Sequence, residues 1–207
     1  MPTATYQRLP EEKRNRIFQA AVDEFAEHRF SEASINRVVK ASGISRGSFY
    51  QYFRDKEDLY LMVLEAISRE KMAVFAACPA PSGDSTFFEA VVASTPAVLD
   101  WVRRCPKYNR IGMLLTQDGS EFTQRMVERM SGAQNTALEL LRRDQERGLI
   151  REDVDLGLAV RMVMSVVSSL LTEYYADGER GQAAALDRIR QVFDILGNGI
   201  VRKEKTP

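Results

Sequence analysis

From Ile17 onward the apolar side chains recur three and four residues apart, with only short polar or Gly/Pro-bearing interruptions. That spacing lines one face of a helix and no face of a strand. With only 12 Gly and 7 Pro among 207 residues, the chain has too few turn formers for an all-β fold. It is therefore expected to be all-α. In the first stretch Ile17, Ala21 and Phe25, with Phe18, Val22 and Ala26 beside them, form one wide stripe, and Pro10-Glu11-Glu12 is a suitable start for it. Ser34 is placed to cap a short second helix carrying Ile35, Val38 and Val39, which Ser42-Gly43 ends. Ser45 is placed to cap a third, with Phe49 and Phe53 inward, and Asp55 a fourth, with Leu59, Met62, Val63, Ala66 and Ile67 inward.

The richest Pro/Gly stretch, Cys78-Pro-Ala-Pro-Ser-Gly-Asp84, closes this first module. Thr95-Pro96 reads as a cap with a first-turn proline or as a kink. Cys105-Pro106 and Gln117-Asp-Gly-Ser120 mark further turns, and an amphipathic run extends from about Glu121 to Arg147, ending at Gly148. Asp153 or Asp155 then caps a helix that is apolar almost all round, from Leu158 to Leu171, which Asp177-Gly178 closes. The last helix carries Leu186, Ile189, Phe193, Leu196 and Ile200, with Gly197 and Gly199 permitting close approach. A 3-4-3-4 seam beside a helix without a polar face points to a two-fold interface, so the last two helices are expected to make a homodimer.

Several classes of function are excluded or weakened early. The longest unbroken apolar run, Met72 to Cys78, is far short of the ~20 residues a membrane span needs. The first eight residues have no apolar core of a signal peptide, and two cysteines make no disulfide framework. The expectation is a cytoplasmic protein without membrane attachment or cofactor. His28, the only histidine, reads as a solvated helix-end residue, which argues against zinc sites and His-dependent nucleophiles.

Charge is unevenly placed. The whole chain sums to zero, yet residues 1–54 hold nine Lys/Arg against six acids, and Ala33 to Arg54 contains four basic residues and no acid. The same stretch holds the two short helices and their Ser-Gly-Ile turn, the layout of a helix-turn-helix. With Phe49 and Phe53 inward, the second helix offers Arg46, Gly47, Ser48, Tyr50, Gln51 and Tyr52 outward. These groups can read the donors, acceptors and methyls of a major groove, and Gly47 lets the backbone come close. Ser34 and Lys56, at two helix starts, suit phosphate oxygens.

Residues 14–63 resemble the DNA-binding region of the TetR family of bacterial transcriptional regulators. The resemblance rests on Ile17-x-x-Ala20-Ala21-x-x-x-Phe25, on Ser34-Ile35, on Ala41-Ser-Gly-Ile-Ser-Arg-Gly-Ser-Phe-Tyr-Gln-Tyr-Phe53 and on Lys56-Glu57-Asp58-Leu59. Gly148-Leu-Ile-Arg-Glu-Asp-Val-Asp155 is similar to the family's link into its dimerisation helices. Two positions depart: Arg29 stands where the family commonly has Gly, which calls for a left-handed backbone or a different helix ending, and Val39 where it has a small Ala.

The resemblance implies an N-terminal three-helix DNA-binding domain over 1–55 and a C-terminal helical effector-binding and dimerisation domain over 56–207. It implies a repressor that leaves a palindromic operator when a small, largely apolar ligand binds. Arg46, Ser48 and Gln51 would then touch bases, and Ser34, Tyr50, Tyr52 and Lys56 phosphates. Trp101, Tyr108, Met113, Phe122 and Met126 are candidates to line the ligand pocket, with Glu173 and Tyr174 beside them. Two alternatives stay open: a redox-responsive regulator using Cys78 and Cys105, and a helical enzyme using carboxylates such as Asp100, Asp118 and Glu121.

Overall fold

The computed structural model describes residues 2–78, 85–129, 132–177 and 181–200. All regular structure among them is helical. The order is α1 (Ala4–Gln7), α2 (Glu11–Glu27), α3 (Ile35–Ser42), α4 (Arg46–Tyr52), α5 (Lys56–Ala77), α6 (Phe87–Arg104), α7 (Pro106–Asp118), α8 (Glu121–Arg129), α9 (Gly132–Glu146), α10 (Leu156–Asp177) and α11 (Gly181–Ile200). None is long and apolar enough to cross a membrane among the described residues. The Pro/Gly stretch 79–84 and Gly178 lie outside those residues, as do the side chains of Leu171, Glu173, Tyr174, Leu186, Gly197 and Ile200.

The chain forms two compact units, Met1–Ala73 with Cys105–Arg129, and Val74–Arg104 with Met130–Pro207. In the first, Ile17, Phe25, Phe49, Phe53, Leu59, Tyr60, Val63 and Ile111 are buried. Burying each such side chain contributes roughly 1.5–3 kcal/mol. The Phe30 ring lies 4.5 Å from Phe122 and 5.1 Å from Tyr60, so α8 is packed onto the segment between α2 and α3. In the second unit Phe87, Leu141, Ile150, Val160, Val163, Ile189 and Phe193 form the core. The buried Asp144 carboxylate ties α6 to α9 by accepting from the Phe87 N–H at 2.6 Å.

Most of the expected helix ends are found. The Asp55 carboxylate accepts from the Asp58 N–H at 2.8 Å, and that of Asp155 from the Leu158 N–H at 2.9 Å, so Asp155 rather than Asp153 starts α10. Pro106 occupies the first turn of α7, and Gly119 and Gly148 have φ of +70° and +73°. Other details differ. Pro96 lies inside α6 and starts nothing; Ser94 and Thr95 donate their hydroxyls to the Val91 carbonyl within the same helix. The run expected from Glu121 to Arg147 is carried by two helices, α8 and α9. Arg29 needs no left-handed backbone: α2 ends at His28, which is extended at φ −127°, and no non-glycine described has positive φ.

Candidate nucleic-acid interface

The turn between α3 and α4 is made by Gly43, whose φ of +67° and ψ of +32° lie in the left-handed region that a Cβ disfavours. Two residues on, the Ser45 hydroxyl accepts from the Ser48 N–H at 3.0 Å and caps α4. Phe49 and Phe53 are fully buried and pin the inner face of α4 to the module's core. Arg46 reaches back to α3, its Nη1 donating to Asn36 Oδ1 at 3.0 Å, while its guanidinium lies 6.0 Å from the Tyr50 ring centre. The outer face of α4 presents Arg46, Gly47, Tyr50 and Gln51 to solvent, with Ser48 half-buried and its hydroxyl 2.9 Å from that of Ser45.

Tyr52 is not on that face. Its ring is 4% exposed, packed 6.3 Å from Tyr6 of α1, with the Lys13 ammonium 5.6 Å from its centre. A four-residue helix carries no helical periodicity in its sequence, so the partner that buries Tyr52 is invisible there. Ser34 stands at the N-cap of α3 but its side chain makes no capping bond; its N–H instead donates to Glu24 Oε1 at 2.6 Å.

That buried Glu24 also accepts from Arg37 Nε at 2.9 Å and Nη2 at 2.6 Å. Burial alone would raise its pKa, but the hydrogen bonds from Arg37 and the Ser34 N–H outweigh this and hold the carboxyl below its usual range. In Asp58 the hydrogen bonds from Arg54 act first and strongest, and its pKa is well below the carboxylate range despite burial. Two of the four cations between Ala33 and Arg54 are thus balanced by carboxylates within the module. Lys40 and Arg46 are exposed and, among the described residues, paired with none.

Lys56, at the start of α5, points inward as well as outward. Its ammonium donates to the carbonyls of Ala33 (2.9 Å) and Ser31 (3.3 Å) and sits 4.7 Å from the Phe30 ring centre. Burial lowers its pKa, with Asp118 and Glu24 opposing the shift. The Asp118 carboxylate grips the same loop, accepting from the Ser31 N–H and hydroxyl at 2.8 and 2.9 Å. Burial would raise its pKa, yet the bonds from Ser120 and Ser31 bring it down to about 2.

The pocket candidates are dispersed. Trp101 is buried in the second unit; Phe122 and Met126 are buried and Tyr108 and Met113 half-buried in the first. Phe122 is a core residue by its stacking on Phe30. The second unit has an open cleft of about 290 Å³ lined by Phe88, Asp144, Ile150 and Phe193 among others, and none of the five candidates lines it. Cys78 and Cys105 are half-buried and not joined in a disulfide; the Cys78 thiol donates to the Val74 carbonyl and the Cys105 thiol to Glu70 Oε2, each at 3.4 Å. Asp100 pairs with Arg103 and Arg104, Asp118 holds the loop and Glu121 pairs with Arg125, so each of the three acids has a structural partner.

A glycine-turned pair of short helices with an acid-free outer face defines a helix-turn-helix DNA-binding protein. Residues 17–63 match the family model described as bacterial regulatory proteins, tetR family. Among curated proteins, the chain is 26% identical to the HTH-type transcriptional repressor AcnR of Corynebacterium diphtheriae, over 91% of each chain. Among solved structures, a TetR family transcriptional regulator from Chloroflexus aurantiacus superposes with a TM-score of 0.77 at 28% identity, over 98% of this chain and 100% of that one. A Bacillus subtilis regulator, FadR in complex with stearoyl-CoA, shares the fold with a TM-score of 0.67 at 20% identity, over 90% and 98%. Residues 17–63 thus carry the DNA-binding region of the tetR family, and over nearly its whole length the chain is similar to TetR family transcriptional regulators.

Proposed function

We propose that the protein is a repressor that reads a near-palindromic operator with α4 and releases it when a small, largely apolar ligand binds. The observation that carries this reading is the outer face of α4, where Arg46, Gly47, Tyr50 and Gln51 are exposed with no carboxylate among them. Arg46, Ser48 and Gln51 contact bases; Ser34, Tyr50 and Lys56 contact phosphates, and Gly47 allows close approach. Tyr52, with its ring buried, holds α4 in place. On this reading residues 1–55 bind DNA, and residues 56–207 bind the effector and dimerise through α10 and α11, in the cytoplasm. Leu158 and Met162, four apart on α10, and Ile195 on α11 are 48%, 46% and 69% exposed in the single chain, as an unfilled interface requires.

The test is selection of source-genome fragments by the purified protein, repeated across a salt series. An enriched inverted repeat bound well above random DNA supports the reading; a blank result before and after unfolding and refolding, which strips any carried ligand, overturns it. Adding candidate ligands with a long apolar chain, free fatty acids and long-chain acyl-CoA among them, to the bound repeat then tests release.

A further inference from the structure

We propose that Thr3 is a positioning residue for the recognition helix, setting the end of α4 that carries Gln51; the proposal rests on the DNA-binding reading above. A helix ends with carbonyls that have no partner within it, and α4 has only seven residues over which to hold its direction. Two of those carbonyls, 48 and 49 positions along the chain from Thr3, are taken by this one residue. The Thr3 hydroxyl donates to Gln51 O at 2.7 Å, and the Thr3 N–H donates to Tyr52 O at 2.9 Å. The same Oγ1 accepts from the Tyr6 N–H at 3.4 Å, so Thr3 begins α1 while it finishes α4.

The remainder of α1 holds Thr3 in this place. The Tyr6 ring is buried 5.0 Å from Phe53, and its hydroxyl donates to Arg14 O at 3.4 Å. Arg14 Nη1 in turn donates to the carbonyls of Gln7 (2.7 Å) and Leu9 (3.1 Å). Thus α1 is fastened to α2 on one side and to the last turn of α4 on the other. The first turn of α4 is fixed independently, by Ser45 and by the Arg46 to Asn36 bond. At the far end the buried rings of Tyr52 and Phe53 anchor the helix, and Thr3 takes the carbonyls of Gln51 and Tyr52. Base reading demands close placement of side chains, while attraction to phosphates does not, and Thr3 carries no charge. Loosening it costs discrimination between sequences and leaves the general grip on DNA intact.

The experiment compares the wild-type chain with Thr3→Ser, Thr3→Val and Thr3→Pro on two duplexes, the inverted repeat enriched by the wild type and a random sequence, with thermal melts of each variant. Serine keeps both bonds and should bind as wild type does. Valine loses the hydroxyl bond and should weaken operator binding roughly threefold to tenfold, leaving random-sequence binding unchanged. Proline loses both bonds while its ring suits the φ of −69° already present, and should weaken it further. Equal operator binding by Thr3→Val, or an equal loss on both duplexes accompanied by a lower melting temperature, overturns the proposal. If the wild type prefers no sequence, the DNA-binding reading itself is what fails.

Discussion

Glu24 on α2 and Arg37 on α3 form a two-nitrogen ion pair in which the carboxylate is buried and the guanidinium half in solvent. The same carboxylate accepts the Ser34 N–H, the bond that an acidic or amide side chain three residues further on makes in a capping box, where this chain has Arg37. The pair therefore fixes where α3 begins relative to α2, and it balances one positive charge on the surface proposed to face DNA.

Glu24→Gln should destabilise the first unit by about 1–3 kcal/mol at neutral pH, since a buried acceptor loses its charge and one oxygen. The Glu24 pKa is lowered in the fold, so its contribution is present above the ordinary glutamate value of 4.5 and is lost as pH falls through the depressed folded value. Urea melts at pH 7 and at progressively lower pH should show the difference between wild type and variant shrinking with acid. A gap that stays constant would mean the carboxylate's charge is not what matters.

Gly43→Ala tests the turn in isolation. A Cβ built at Gly43 meets nothing within 4 Å, so the penalty comes from the left-handed backbone alone, about 1–2 kcal/mol. A melting temperature within error of the wild type would show that the turn relaxes to another conformation.

Lys56→Ala should weaken binding to operator and random DNA alike and lower the salt slope by about one unit, if the ammonium reaches a phosphate while holding Ser31 and Ala33. Affinity measured at four or five salt concentrations gives the slope directly. An unchanged slope with a lowered melting temperature would confine Lys56 to bracing the loop.

Leu158→Glu and Ile195→Glu place carboxylates on exposed apolar positions of α10 and α11 and should convert a dimer into a monomer. Light scattering at micromolar concentration distinguishes the two masses, and operator affinity should fall with dimerisation while helix content by circular dichroism is kept. A variant that remains dimeric would place the interface elsewhere.

The features legible in the sequence are local. Gly43, Ser45, Asp55 and Asp155 act within three residues of themselves, and Phe49 and Phe53 declare one face by spacing alone, so each can be placed from its neighbours. The concealed features are carried by groups far apart in the chain. Glu24 meets Arg37 across 13 residues, Thr3 meets Gln51 across 48 and Ser31 meets Asp118 across 87. No periodicity marks such pairs, and a buried carboxylate looks in sequence like any surface acid. Tyr52 belongs with them, since the ring that covers it sits on a helix too short to announce itself.

On the DNA-binding reading proposed above, the pairing of Arg37 with Glu24 and of Arg54 with Asp58 also sets how long the protein stays on duplex that lacks its operator. Non-specific attraction scales with the number of phosphates neutralised, and these internal pairs reduce the cations offered between Ala33 and Arg54 chiefly to Lys40 and Arg46. A surface so lightly charged lets go of random duplex quickly. The molecule then searches a chromosome in brief visits, and its dwell time becomes long only where the base edges answer α4.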